Sequence, residues 1–198
     1  MEQLTEEALR EVADLARWMA TSAEFREFLL GVVKTITQVY RNDGKVLACG
    51  NGGSAADAQH FVGELVGKYN FDRPPLAAVA LSADTTVLTA VGNDYGFDKV
   101  FARQVLAHAS SGDVLVAFST SGSSPNVLAA CSTSRECGAR VIGFTGSRGD
   151  ALARISDLCL AVPCAVTPRI QEVHQVACHL ICQLVEERMF GRESGRVS

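Results

Sequence analysis

An α/β fold, built on one five-stranded parallel sheet with helices on both faces and preceded by two N-terminal helices, is the architecture this sequence predicts. Three observations carry it. Short apolar runs alternate with helical stretches from Lys45 onward, a glycine-rich and a serine-rich segment each follow one of these runs, and two amphipathic stretches come first. With 198 residues, 47% hydrophobic and 20% charged, the chain is long enough for one compact domain and too short for two substantial ones. Within that single domain the expected layout is a helical pair over 1–42, an α/β core over 45–190 and a tail over 191–198.

In the first amphipathic stretch Leu4, Ala8, Val12, Leu15 and Met19 recur at three- and four-residue spacing. Phe25, Phe28, Val32, Ile36 and Val39 do the same in the second, with Ser22 placed to cap it. Neither carries chemistry, and both need something to pack against. The expected strands are Val46 to Cys49, Ala77 to Leu81, Val114 to Ser119, Val141 to Thr145 and Leu158 to Val162. Breaks fall at Asn42-Asp43-Gly44, Arg73-Pro74-Pro75, Ser111-Gly112-Asp113 and Gly138, where turn chemistry is strongest. Ligands of such folds bind beyond the carboxyl ends of the strands, so function is sought after Cys49, Leu81 and Ser119.

The loop after Cys49, Gly50-Asn51-Gly52-Gly53-Ser54, lets the chain turn sharply and brings bare N–H groups close to a ligand before a helix begins. That helix carries Asp57, His60 and Glu64. Four residues turn an α-helix through roughly 400°, so His60 and Glu64 share a face about 6 Å apart along the axis and can share a substrate or a metal. Gly50, Gly52 and Ala55 also satisfy the loose dinucleotide pattern, with Asp84 near the end of the next strand as a ribose partner. That reading gives His60 and Glu64 nothing to do.

After the third strand, Ser119-Thr120-Ser121-Gly122-Ser123-Ser124 gathers hydroxyls before a helix opened by Pro125. A helix N-terminus carries about half a positive charge and unpaired donors, so a phosphate can bind there without a lysine. Capping by Ser124 alone would need fewer hydroxyls. Near the C-terminus lies Arg169-Ile170-Gln171-Glu172, with His174 and His179 following on the same helix. His108 reads as a surface residue near a helix end, and Glu172 and Glu186-Glu187-Arg188 read as a solvated face.

The seven cysteines are odd in number and form no Cys-x-x-Cys. Cys49, Cys131, Cys159, Cys178 and Cys182 sit in apolar patterns, so reduced, structural thiols are expected, with Cys178 and Cys182 beside Leu180, Ile181 and Leu184 in a core-facing stripe. A net charge of −4 leaves no basic field for nucleic acid or an anionic membrane. The acidic opening Met1 to Glu7 does not resemble a signal peptide, and no apolar run approaches the roughly 20 residues of a membrane span. A soluble, cytoplasmic protein is expected.

Taken together, the two leading helices, the glycine loop with Asp57, His60 and Glu64, the pair Asn93-Asp94, the serine loop, and Arg169 to Glu172 with His179 resemble the bacterial phosphoheptose isomerases. These belong to the sugar isomerase (SIS) domain proteins, and the resemblance runs from about residue 5 to residue 190. It implies a single SIS domain that isomerises sedoheptulose 7-phosphate to D-glycero-D-manno-heptose 7-phosphate through an enediol, at the head of lipopolysaccharide heptose synthesis. On the matching positions it implies Glu64 as base, His179 as partner acid, and Ser119, Thr120, Ser121 and Ser124 as phosphate loop. Asn51, Gly52, Gly53, Ser54, Glu64, Asn93, Asp94 and Gln171 become sugar contacts. A zinc ion (Zn2+) would be held by His60, Glu64, Gln171 and His179, and the family's homotetramers are implied as well. Gln171 and His179 are separated by about 12 Å of helical rise, which makes their convergence on one ion within a subunit difficult. A site completed across a subunit interface is therefore expected. A related branch binds the replication initiator DnaA without isomerase activity and lacks the carboxylate and histidine that stand here at Glu64 and His179.

Overall fold

The computed structural model describes residues 1–191, so the expected tail lies, beyond Gly191, outside the described residues. Helix α1 (Glu2–Thr21) and helix α2 (Ala23–Arg41) meet at Ser22, whose Oγ accepts the Phe25 N–H at 3.1 Å and so caps α2. The two helices differ in burial. The stripe from Phe25 to Val39 is inside, whereas α1 buries only Leu15, and Leu4 and Leu9 remain 66% and 62% exposed.

The sheet contains β1 (Val46–Gly50), β2 (Ala78–Ala80), β3 (Val114–Phe118), β4 (Arg140–Gly146) and β5 (Leu158–Val162), all parallel, in the order β2-β1-β3-β4-β5. Between them run α3 (Gly53–Val66), α4 (Thr85–Tyr95), a 3₁₀ turn (Phe97–Lys99), α5 (Ala102–His108), α6 (Pro125–Glu136) and α7 (Asp150–Ile155), and α8 (Thr167–Phe190) follows the last strand. Strand β2, at one edge of the sheet, is shorter than the sequence predicts. Even so, the Leu81 N–H reaches the Ala48 carbonyl at 2.8 Å.

The period-two alternation of the strands divides the core into two layers. Val46, Ala48, Val116, Phe118, Ile142 and Phe144 face α2, α3 and α8, while Leu47, Cys49, Leu115, Ala117 and Val141 face the α5 to α7 side. Phe144 lies between Phe28 and Phe118, with ring centroids 5.3 and 4.6 Å away. Burying such a ring stabilises the fold by about 1.5–3 kcal/mol. Below the sheet, the buried Asp113 accepts the Lys45 and Ser110 N–H groups and the Lys45 ammonium, fixing the approach to β1 and β3.

All seven cysteines are free, and burial pushes the Cys49 and Cys178 thiols well up. Two expectations need correction on α8. Leu184 is exposed, so the inward stripe is Cys178, Ile181, Cys182 and Val185. Glu186 is not on a solvated face: it is fully buried and paired with Arg73, whereas Glu172 and Glu187 are exposed. No described helix is long and apolar enough to cross a membrane.

Candidate active site

Two loops meet because of strand order. From β1 the chain moves to β2 on one side and returns to β3 on the other, leaving a crevice above the β1–β3 boundary. Gly50 pairs in register with Phe118, so Asn51 and Ser119 leave the sheet at one level. The side chains of Asn51 and Asn126 then exchange two amide hydrogen bonds, both 2.8 Å, tying the glycine loop to the first turn of α6.

Gly52 turns the chain into α3 with φ 56° and ψ −124°, a conformation that side-chain-bearing residues rarely adopt. Gly53 lies against the Gln171 amide so closely that a Cβ there would collide with it. Across from them Ser119 Oγ and Ser124 Oγ are 3.0 Å apart, and Ser121 Oγ accepts from the Ser123 hydroxyl at 3.1 Å. Ser124 stands at the N-cap of α6, but its hydroxyl pairs with that of Ser119 and makes no cap bond to the helix. Together the loops enclose a cavity of about 310 Å³, lined by Asn51, Gly52, Gly53, Ser54, Ser119, Thr120, Ser124, Thr167 and Gln171. Ser121 faces a neighbouring hollow with Thr120, Ser123 and Arg148, the one cation beside this loop among the residues lining either hollow.

Helices α3 and α8 begin at this cavity and run side by side in the same direction. Gly53 meets Gln171 at the first level, and His60 meets His179 further along. At that second level His60 Nε2 lies 2.8 Å from His179 Nε2 and 3.2 Å from Glu64 Oε1, and the ligating atoms of all three residues fall within 4.8 Å of one another. Gln175, one turn before His179, approaches its Nε2 at 3.4 Å, and the Tyr69 ring centroid is 5.9 Å from that of His179. Two imidazoles and a carboxylate, partly exposed and with His60 Nε2 close to both of the other groups, form a donor set of the kind that binds zinc. Gln171 stands with the serine loop, two turns of α8 before His179.

Several residues have other surroundings than the sequence predicts. Asn93 and Asp94 are exposed at the end of α4, bonded to each other at 2.8 Å, and do not line the loop cavity; Phe97 and Asp98, just beyond, face Asn51 and Ser124. His174 is fully buried and bonds the Thr145 carbonyl, and burial lowers its pKa to about 4. His108 is exposed, as read. Asp57, on the inner face of α3, is buried, and its Oδ2 has no hydrogen-bond partner among the described residues; burial raises its pKa to about 6 against the opposing influence of His60. Asn126, Thr167, Tyr69 and Arg148 were missed. The proline-opened helix starts at Pro125-Asn126 and Thr167-Pro168 offered a local signal for two of them.

A family model for the SIS domain matches residues 9–146, well over half of the chain, which makes this a SIS-domain protein. Its relatives narrow the class. The chain is 50% identical to a phosphoheptose isomerase of Burkholderia pseudomallei over 92% of this chain and 94% of the relative. Its fold matches the solved phosphoheptose isomerases of Neisseria gonorrhoeae (TM-score 0.82, 42% identity, 94% of this chain and 96% of that one) and Francisella tularensis (TM-score 0.89, 34% identity, 93% and 97%). The chain belongs to the phosphoheptose isomerase family.

Proposed function

We propose that this protein interconverts the ketose sedoheptulose 7-phosphate and the aldose D-glycero-D-manno-heptose 7-phosphate, in the cytoplasm, at the head of lipopolysaccharide heptose synthesis. The observation that carries the reading is the His60–Glu64–His179 group, set on the two helices whose first turns border the serine and glycine loops. A phosphate anchored at one end of such a site leaves the far end of the sugar along α3 and α8.

In this reading Ser119, Thr120, Ser121 and Ser124 hold the phosphate, helped by the positive end of α6. Asn51, Gly52, Gly53 and Ser54 position the sugar. Glu64 removes a proton from C1 and returns one to C2 on the same face, while His179 gives a proton to O2 and takes the one leaving O1, so that the enediol forms and collapses with no net proton change. A zinc ion held by His60, Glu64 and His179 would supply charge stabilisation for the carbonyl oxygen as it becomes an enediolate. The residues themselves still have to orient the sugar and move its protons.

Gln171, Asn93 and Asp94 stand apart from the triad within one chain. We assign them to a site shared with a neighbouring subunit of a homotetramer, a reading supported by the poorly buried α1. Specific activity is then expected to fall on dilution as subunits separate, and constant activity in a strictly monomeric sample would refute the shared site.

The decisive test is incubation with sedoheptulose 7-phosphate in heavy water, followed by NMR. Heptose phosphate carrying deuterium at C2 is expected from the native chain. No aldose product would sink the isomerase reading.

A further inference from the structure

A heavily bonded charged pair of the core lies at the far end of the α3–α8 contact. Arg73 and Glu186 have side chains only 2% and 1% exposed and are joined Nε to Oε1 at 3.0 Å. Their sequence separation of 113 residues spans most of the sheet. Isolated buried ion pairs add little net stability over an apolar pair of the same shape, so what this one holds in place is more informative than its energy.

Glu186 accepts from three donors: the Tyr69 N–H at 2.9 Å, the Asn70 N–H at 2.7 Å and Arg73. Burial pushes its carboxyl up, but these donors outweigh it and hold the group below its ordinary range. Arg73 spends its other N–H groups on carbonyls, those of Leu65 and Glu64 at 2.8 Å each and of Pro74 at 3.1 Å. The first two belong to the last turn of α3, where carbonyls have no helical partner and a cation is favoured. One guanidinium therefore closes the helix that carries Glu64 and fastens it to α8. Glu186 follows His179 by two turns on the same face of α8, and Tyr69, whose N–H it holds, sets its ring beside His179.

We infer that Arg73 and Glu186 are positioning residues that fix the spacing of Glu64 and His60 against His179. Neither side chain belongs to the triad or lines the loop cavity. It sets the distance between the two helices that supply the three functional groups. The inference rests on the proposed role of that triad.

Arg73→Lys keeps the charge but cannot fork between two carbonyls and a carboxylate. We expect it to fold, to lower kcat by about tenfold or more with KM within about twofold, to weaken Zn2+ binding by about 10–100-fold in chelator competition, and to shift the visible bands of bound Co2+. Phe28→Leu, in the α2 core, serves as the control for general destabilisation. If Arg73→Lys and Glu186→Gln both match that control in kcat per folded molecule, Zn2+ affinity and Co2+ spectrum, the pair is merely structural and the proposal is overturned. The native chain gives a test that no folding defect can obscure: hydrogen exchange of the Tyr69 and Asn70 amides should slow by about tenfold when Zn2+ binds, because coupling is reciprocal. Unchanged exchange refutes the coupling. Failure of the isomerase reading is separately visible, as absence of heptose phosphate from the native protein.

Discussion

In the proposed mechanism Glu64 is both a base and a metal ligand, and its geometry permits both because only one of its oxygens is engaged by His60, at 3.2 Å. Glu64→Gln keeps the shape and removes the base. It is expected to lower kcat by about 10²–10⁴-fold while circular dichroism stays native, and near-full deuterium transfer by the variant would assign the base elsewhere. His174 gives a different readout. Its pKa is depressed to about 4 by burial, so between about 6.5 and 4 the unfolded chain binds the proton that the folded chain refuses. The stability tied to neutral His174 is complete above pH 6.5 and is lost as the pH falls toward 4. His174→Gln should flatten the melting temperature across that window, and an unchanged pH slope would contradict the assignment.

The elements that local patterns describe are those whose residues lie close in sequence. The glycine loop, the Ser22 cap and the Pro125 helix start announce themselves within a few residues, and all five strands stand where apolar runs predict them. What stayed hidden joins distant segments. Asn51 and Asn126 are 75 residues apart, Arg73 and Glu186 are 113 apart, and a solvated-face reading of Glu186 follows naturally from the charged neighbours Glu187 and Arg188. The loop-to-loop tie makes its own prediction: Asn126→Ala strands the Asn51 amide, costing about 1–3 kcal/mol, and should raise KM several-fold with kcat nearly constant. Steady-state kinetics with a thermal melt would check both halves. In the serine loop, Gly122 has φ 63° and no room for a Cβ beside Gly149. Gly122→Ala is expected to lower the melting temperature and weaken inorganic phosphate binding together; a change in only one would separate loop strain from anion binding.

At the scale of the molecule, α1 is the unfinished surface. Arg169 reaches Glu11 at 3.4 Å and holds the helix to α8, yet Leu4, Leu9 and Val12 stay exposed. In the tetramer reading a second copy covers them, so Leu4→Glu with Leu9→Glu should reduce the mass seen by sedimentation; an unchanged mass would remove α1 from the interface.

The side-by-side course of α3 and α8 also bears on how the protein is made. His60 and Glu64 leave the ribosome more than a hundred residues before His179 and Glu186. Until the last helix emerges, the first two groups have no opposite number, and the inner face of α3 has only the sheet as cover. In the proposed reading the nascent chain therefore lacks a complete triad through most of its synthesis, and packing α8 onto α3 both finishes this layer of the core and assembles the site.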